Sequence, residues 1–467
     1  MAIEPLELSI RQPALSASVM LWPRQRMVLL VALALLACGL ALDPLRVAKV
    51  AVAVSIVFYL LTTAYKLLLL YFSASTDSEI RIAAGRLAAL RDEDLPLYSI
   101  MVPLYHEADS VPHLVRSLGN LDYPPGRLDV QLLLEEDDQE TREAVSRTAL
   151  PEGFRITVVP ASFPRTKPKA CNIGLEHARG RYLVIYDAED EPEPDQLKKA
   201  VLAFSDVKPD VVCLQCKLNF YNPRQNWLTR WFTGEYSAWF DLSLPGLSHL
   251  RAVIPLGGTS NHFVTQKLRE LLGWDAYNVT EDCDLGIRLC RAGWTTRMLD
   301  ATTWEEACSS LKYWISQRSR WLKGYMQTYL VHMRQPVRLA RELGLRNFVH
   351  FQMLVGGVVA SSLLNPIYWA LAILWFFFRL EVLLSLFPGP IFAMGAFCLF
   401  AGNFAFIYAG ALGTFRRRYF DLVKYALLAP PYWMMMSYSG WRALVQLIRN
   451  PFHWEKTRHG LHQQPAA

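Results

Sequence analysis

Hydrophobic and polar positions divide the chain into three regimes. Residues 27–42 ("MVLLVALALLACGLAL") and 50–72 are nearly uncharged, with Lys66 close to the end of the second run. A bilayer core takes about 20 apolar residues as helix, so the first run is short and the second ample. Together they predict a helical hairpin broken at "DPLR". Arg24 and Arg26 before it, and Arg81, Arg86 and Arg91 after it, favour the cytoplasm for both ends.

From residue 95 to residue 300 the period changes. Short apolar runs ("LYSIMVPLY", "LDVQLLLE", "RITVVP", "RYLVIYD", "VVCLQCKL") alternate with amphipathic, helix-like stretches. That alternation predicts an α/β domain with a mostly parallel sheet, in which ligands bind beyond the carboxyl ends of the strands. One run, "YLVIYDAEDEPEP", ends in Asp187, Glu189, Asp190, Glu191 and Glu193. Two more spans follow at 353–378 and 390–412, and a weaker one, interrupted by "PPY", at 422–445. Three spans would put the basic "RNPFHWEKTRHG" outside, whereas its charge and the "FRRRY" loop favour the inside. A re-entrant or interfacial element around Pro430 and Pro431 is one resolution; the pattern leaves the parity open. The expected divisions are a membrane hairpin over 1–80, a catalytic domain over 81–300, interfacial helices over 301–347, a membrane region over 348–448 and a basic cytoplasmic tail over 449–467.

Composition narrows the class. Hydrophobic residues make up 52% and charged residues 19%, with a mean hydropathy of +0.15, which suits a soluble domain joined to spanning helices. The net charge of +6 comes from arginines beside apolar runs, a membrane-surface placement that does not point to nucleic acid. The eight cysteines lack zinc-ligand spacing, and Cys213 and Cys216 lie inside an apolar run that reads as a core strand. No cleavable signal is expected, because the first apolar run, which begins near Met27, lacks a small-residue cleavage site, and the tail after Asn450 is too short for a separate core.

Carboxylates gathered at a strand end are either a solvated loop or a site for a divalent cation, since hard cations take oxygen ligands. The accompanying segments bear on that choice: "VPLYHEADSV" (102–111), "LLLEEDDQET" (132–141), "TKPKACNIGL" (166–175), "VTEDCDLGIRL" (279–289) and "QRSRW" (317–321), with the terminal "FHWEKTRHG". In these motifs and their order the chain resembles the family-2 glycosyltransferases, in particular the membrane-embedded branch of cellulose, hyaluronan and related bacterial exopolysaccharide synthases. The resemblance implies a GT-A-like α/β catalytic domain with a mixed, mostly parallel sheet, flanked by transmembrane helices.

It also implies roles. Asp187 and Glu189 match the cation-holding DxD pair for Mg²⁺ or Mn²⁺, and because Glu stands where Asp is usual, Asp190 is a rival ligand. Glu107 takes the acidic position near the base of the nucleotide. The nucleotide-contacting acids fall on Glu135 and Glu136 in one register and on Asp137 in another. Lys167 would meet a donor phosphate, and Asn172 either contacts the donor or opens the following helix. Asp282, with Glu281 beside it, is the candidate general base for the acceptor hydroxyl; the same acids also simply start an amphipathic helix. Gly258 and His262 belong to an acceptor-side loop, His262 more readily as a structural residue. Gln317, Arg320 and Trp321 fill the QxxRW pattern, with Arg320 clamping the departing diphosphate and Trp321 bordering the acceptor; an interfacial helix is the parallel reading.

The expected reaction is inverting transfer from a UDP-linked sugar to a growing β-linked polysaccharide, at a bacterial-type inner membrane with the catalytic domain in the cytoplasm. The expected partners are the nucleotide-sugar donor, a glycan or lipid-linked acceptor, the bilayer and an export or accessory protein, with no nucleic acid. A non-processive transferase acting on a lipid-linked acceptor and a catalytically silent assembly component are the alternatives.

Overall fold

The computed structural model describes residues 4–75 and 78–455. Its centre is a mixed eight-stranded sheet: β1 (Tyr98–Leu104), β2 (Leu128–Glu135), β3 (Phe154–Val159), β4 (Tyr182–Ile185), β5 (Glu191–Pro192), β6 (Val211–Phe220), β7 (Asn261–Val264) and β8 (Thr295–Glu305). The order across the sheet is β3-β2-β1-β4-β7-β6-β8-β5. β1 pairs parallel with β2 and β4, and β6 parallel with β8, while β7 runs antiparallel between β4 and β6. The five apolar runs are β1, β2, β3, β4 and β6. Every residue of β2 is buried, as a strand covered on both faces requires. The order reverses beside β1, so a crevice opens at the carboxyl ends of β1 and β4, directly under Asp187.

The helices that bear on function are α1 (Pro23–Leu42), α2 (Pro44–Ser75), α3 (Lys167–His177), α4 (Trp227–Ala238), α5 (Glu281–Arg291), α6 (Leu311–His332), α7 (Pro336–Phe378), α8 (Gly389–Arg416) and α9 (Pro430–Arg449). Among the described residues, α1, α2, α7 and α8 are long and apolar enough to cross a membrane. The expected fifth span at 422–445 is not among them. Pro430 and Pro431 begin α9 instead of interrupting a span, because proline suits the first turn, where an N–H has no partner to lose. α9 lies along α6 and buries Tyr432 and Ala443.

Two expected boundaries also move. The division at residue 300 cuts through β8, which carries on to Glu305. Residues 5–19, grouped with the membrane hairpin, lie on the catalytic domain. Ser16 Oγ donates to Asp275 at 2.8 Å and the Ala17 N–H at 2.5 Å, while Arg334 donates to the carbonyls of Pro13, Ala14 and Ser16 at 2.9–3.0 Å.

Packing under the crevice depends on one glycine. A Cβ at Gly286, midway along α5, would stand 2.1 Å from the Ile254 carbonyl oxygen, and backbone cannot yield as a side-chain tip does. Gly286→Ala should therefore destabilise the protein by about 1–3 kcal/mol, the usual cost of overpacking. Thermal unfolding checks this; an unchanged midpoint would mean α5 is free to shift.

Candidate functional site

The crevice is assembled from chain segments far apart in sequence. Lys167 is the first residue of α3, and its ammonium pairs with Asp187, just past β4, while donating to the Gly258 carbonyl at 2.9 Å. Asp282 Oδ2 lies 3.5 Å from where a Cβ on Gly258 would be, so Gly258 adjoins both the Lys167–Asp187 pair and the candidate base.

Asp282 occupies the first turn of α5, where the helix dipole favours negative charge, and its Oδ1 accepts from the Cys283 N–H at 2.7 Å. Desolvation still dominates and lifts its pKa to about 6, against the opposing pull of that N–H, Lys167 and Arg320. Burial, then the Asp282 charge, pushes the neighbouring Glu281 up as well. For Lys167, burial opposes the charged form, but Asp187 and Glu281 outweigh it and hold the ammonium protonated.

Arg320 extends from α6 towards the same acids. Burial lowers its pKa, and Glu281, Asp282 and Asp187 counter that effect. Its guanidinium covers the Trp454 ring at 4.3 Å, and its Nε has no hydrogen-bond partner, as is also true of Gln317 Oε1 one turn away. The Trp321 ring lies 6.4 Å from Tyr236 and 6.2 Å from Phe232, both on α4. α6 can come this close to the start of α5 because residue 324 is glycine: a Cβ there would meet Thr280 Cβ at 2.7 Å.

Asp190 is a brace within the acidic turn. Its Oδ2 accepts the Asp187 N–H at 2.8 Å and the Thr259 hydroxyl, leaving Oδ1 buried without a partner. Burial and the charges of Asp187 and Glu189 hold its pKa well above the usual range. Glu305, at the end of β8, is raised in the same way, by burial and by Asp190, Glu189 and Asp187, and its Oε1 is also unpartnered. Among the described residues no three His, Cys, Asp or Glu side chains converge to hold an ion unaided. Two orphaned carboxylate oxygens in one negative field, with Asp187 and Glu189 at the rim, nevertheless fit a hard cation that takes its remaining oxygens from a diphosphate.

Several expected site residues have other partners. Asn172 sits inside α3, not at its start; it accepts the Trp274 N–H and donates to the Trp274 and Pro5 carbonyls, all at 2.9 Å, and so locks the fold with no group left for a donor. His262 is buried on β7 between Tyr98 (2.7 Å) and Gln196 (3.2 Å), and burial lowers its pKa to about 3, which makes it a neutral core residue. In "LLLEEDDQET", Glu135 is buried against Lys169 (3.3 Å), Glu136 is exposed and accepts the Ala161 N–H, and Asp137 pairs with Arg165. The organising acid there is Asp138, which caps the following helix through the Thr141 N–H and also receives the His106 N–H. Glu107 follows, its N–H donating to Thr141 Oγ1 at 3.0 Å and its carboxylate accepting from Ser110.

Sequence reasoning missed Glu305, Arg318 and Trp454. Arg318 reaches from α6 to Glu235 on α4 (2.9 Å) and to Tyr432 on α9 (2.9 Å), fixing the helix that carries Arg320. The run 450–455 folds back over α6: Lys323 donates to the His453 carbonyl at 2.7 Å, and Glu455 accepts from Ser316 and Arg442. Residues 456–467 of the expected basic tail lie outside the described residues.

Because Asp282 must be ionised to accept a proton, and its pKa is raised, the base form is lost as pH falls through about 6. kcat/KM should then decline about tenfold per pH unit on the acid side. A profile flat down to pH 4.5 would remove Asp282 from that role.

The family model "Glycosyltransferase like family 2" matches residues 96–324. A probable glycosyltransferase of Bacillus subtilis, YdaM, is 25% identical over 318 residues, covering 63% of this chain and 75% of its own. A β-monoglucosyldiacylglycerol synthase of Trichormus variabilis is 29% identical over 245 residues, 50% of each chain. A probable glucomannan 4-β-mannosyltransferase of Arabidopsis thaliana is 26% identical over 252 residues, 50% of this chain and 44% of that one. The chain thus spans three quarters of the first relative and about half of the other two. Among solved structures, a mannosyltransferase of Pyrobaculum calidifontis, in complex with GDP-mannose and Mn²⁺, superposes with a TM-score of 0.53 at 20% identity, covering 87% of this chain and 99% of that one. Sheet order and family match agree: residues 96–324 form a GT-A-like domain similar to those of the family-2 glycosyltransferases.

Proposed function

We propose that this chain is an inverting, membrane-bound transferase that moves a sugar from a nucleoside diphosphate donor, UDP-linked in the first instance, to a growing β-linked glycan. In this reading it belongs to the branch containing cellulose and hyaluronan synthases. The observation that carries it is the meeting of the Lys167–Asp187 pair and Asp282 at Gly258. Such a cleft holds a donor phosphate on one side and a proton acceptor on the other.

In the proposed reaction the Asp282 carboxylate takes the proton of the acceptor hydroxyl as its oxygen attacks the anomeric carbon. The bond from that carbon to the diphosphate oxygen breaks, and its electron pair leaves with the diphosphate. In-line attack turns an α-linked donor into a β-linked product. Arg320 and Lys167 face the departing charge, and their fixed positions require no reorganisation during the step. A divalent cation held by Asp187 and Glu189 would supply further neutralisation of the diphosphate. Trp321 and its aromatic neighbours give the acceptor sugar an apolar face to lie on. Four spans would put residues 417–455 on the side of the catalytic domain, which favours the cytoplasm for both.

One observation favours a second reading, transfer to a lipid acceptor. The aromatic wall around Trp321 runs through Phe232 and Trp231 to Tyr432 and Trp433 on α9, and Trp433 meets Phe406 of α8 at 5.7 Å. An acceptor entering along that wall would come from the membrane. The relative named as a β-monoglucosyldiacylglycerol synthase suits this reading.

Nucleotide release by the detergent-purified chain, with a panel of UDP- and GDP-sugars, tests the proposal. One donor should support release, and chelation of divalent ions should lower it about a hundredfold, the scale of several kcal/mol of charge stabilisation. Long glycan products would favour the polymer reading and single additions to lipid the second. Release unaffected by chelation would overturn the cation assignment, and no release with any donor or acceptor would overturn the function.

A further inference from the structure

Behind α5, away from Asp282, a cavity of about 270 Å³ is lined by Arg251, Gly286, Cys290, Trp294, Arg346 and Asn347. Arg346 donates to the Arg251 carbonyl at 3.3 Å, so these two arginines share one rim. Arg297 stands beside Arg251, and burial, then that neighbouring charge, holds its pKa below the usual arginine value. Its donors go to Ser248 Oγ (3.0 Å) and the Ser78 carbonyl (3.3 Å), both neutral. Among the described residues, none of the three arginines forms an ion pair. The one acid lining the cavity, Glu342, is already engaged by Arg291 (2.5 Å) and Arg338 (2.6 Å). Three like charges without a counter-ion repel one another and attract an anion.

The height of this cluster identifies the anion. It rests on the reading that α2 and α7 cross the bilayer. From Val50, where the apolar run begins, to Tyr65, α2 rises about 22 Å at 1.5 Å per residue, so Tyr65 lies in the last third of a hydrocarbon layer of about 30 Å. Tyr65 Oη hydrogen-bonds His350 Nδ1 on α7 at 2.9 Å, so His350 shares that depth. Arg346 is one turn nearer the catalytic domain, about 6 Å further out, where the hydrocarbon gives way to lipid headgroups. Beside it on α7, Leu345 (77% exposed) and Val349 (43%) offer apolar surface to acyl chains.

We propose that Arg251, Arg297 and Arg346 form a binding site for the phosphate of an anionic membrane lipid, set against the back of the catalytic helix α5. Free phosphate shares the headgroup chemistry but has no chains to meet Leu345 and Val349, so the lipid is the assigned source. The site is separate from the donor cleft and stands whether the acceptor is a glycan or a lipid, provided α2 and α7 span.

The test is native mass spectrometry of the full-length chain in detergent, offered phosphatidylglycerol or phosphatidylcholine. Wild type should retain phosphatidylglycerol about tenfold better, and the preference should vanish in R251A/R346A and persist in R251K/R346K. An unchanged thermal midpoint shows that the alanine variant is folded. Equal retention of the two lipids, retention of the preference by the folded alanine variant, or displacement of phosphatidylglycerol by millimolar inorganic phosphate would each overturn the assignment.

Discussion

The architecture depends on opposite charges meeting in a desolvated crevice. Asp187, Asp190, Glu281, Asp282 and Glu305 converge from three parts of the chain, and burial raises the pKa of the last four. At an effective dielectric near 20, two unit charges 4 Å apart interact by about 4 kcal/mol, so one ammonium and one guanidinium decide which acids stay ionised. Lys167 pairs with Asp187, and Arg320 faces Glu281 and Asp282. The balance is incomplete, because Asp190 Oδ1, Glu305 Oε1 and Arg320 Nε have no partners. A donor diphosphate with its cation is the chemistry that would complete it.

The surrounding packing holds these charges in register. Lys167 and Asp282 both stand in the first turns of helices, α3 and α5, so each side chain is aimed by a rigid element and not by a loop. The close approach at Gly324 brings α6 onto the start of α5, and Arg318 fixes α6 to α4 and α9. The run 450–455 lies over α6 and sets Trp454 on Arg320, making the end of the described chain part of the site wall. The span-length helix α7 and the crevice are therefore joined through α6 and α9.

What was legible in the sequence followed from local pattern. The runs that became β1, β2, β3, β4 and β6 are short, apolar and bounded by turns, and Asp187, Asp282 and Arg320 stand at motif positions whose chemistry a single segment displays. What was not legible depends on distant partners. β7 was read as a glycine loop because its four residues become a strand only between β4 and β6. The threonine-rich β8 hid behind an assumed boundary. Asn172 and His262 have the residue types of a site, yet Trp274, Pro5, Tyr98 and Gln196 use up their polar groups. Glu305 carries no motif, Arg318 fills an unspecified position of QxxRW and Trp454 lies in the terminal FHWEKTRHG without an assigned role, so only the folded arrangement shows what they touch.

The central claim is a division of labour across Gly258: Asp187 and Lys167 hold the donor, and Asp282 takes the proton. Measuring donor affinity and turnover separately, by calorimetry and by nucleotide release, for wild type, Asp187→Asn and Asp282→Asn tests this most directly. The account predicts that Asp282→Asn keeps its donor affinity while turnover falls by about 10²–10⁴, and that Asp187→Asn loses affinity itself. Full turnover in a folded Asp282→Asn protein, or unchanged donor affinity in Asp187→Asn, would contradict it.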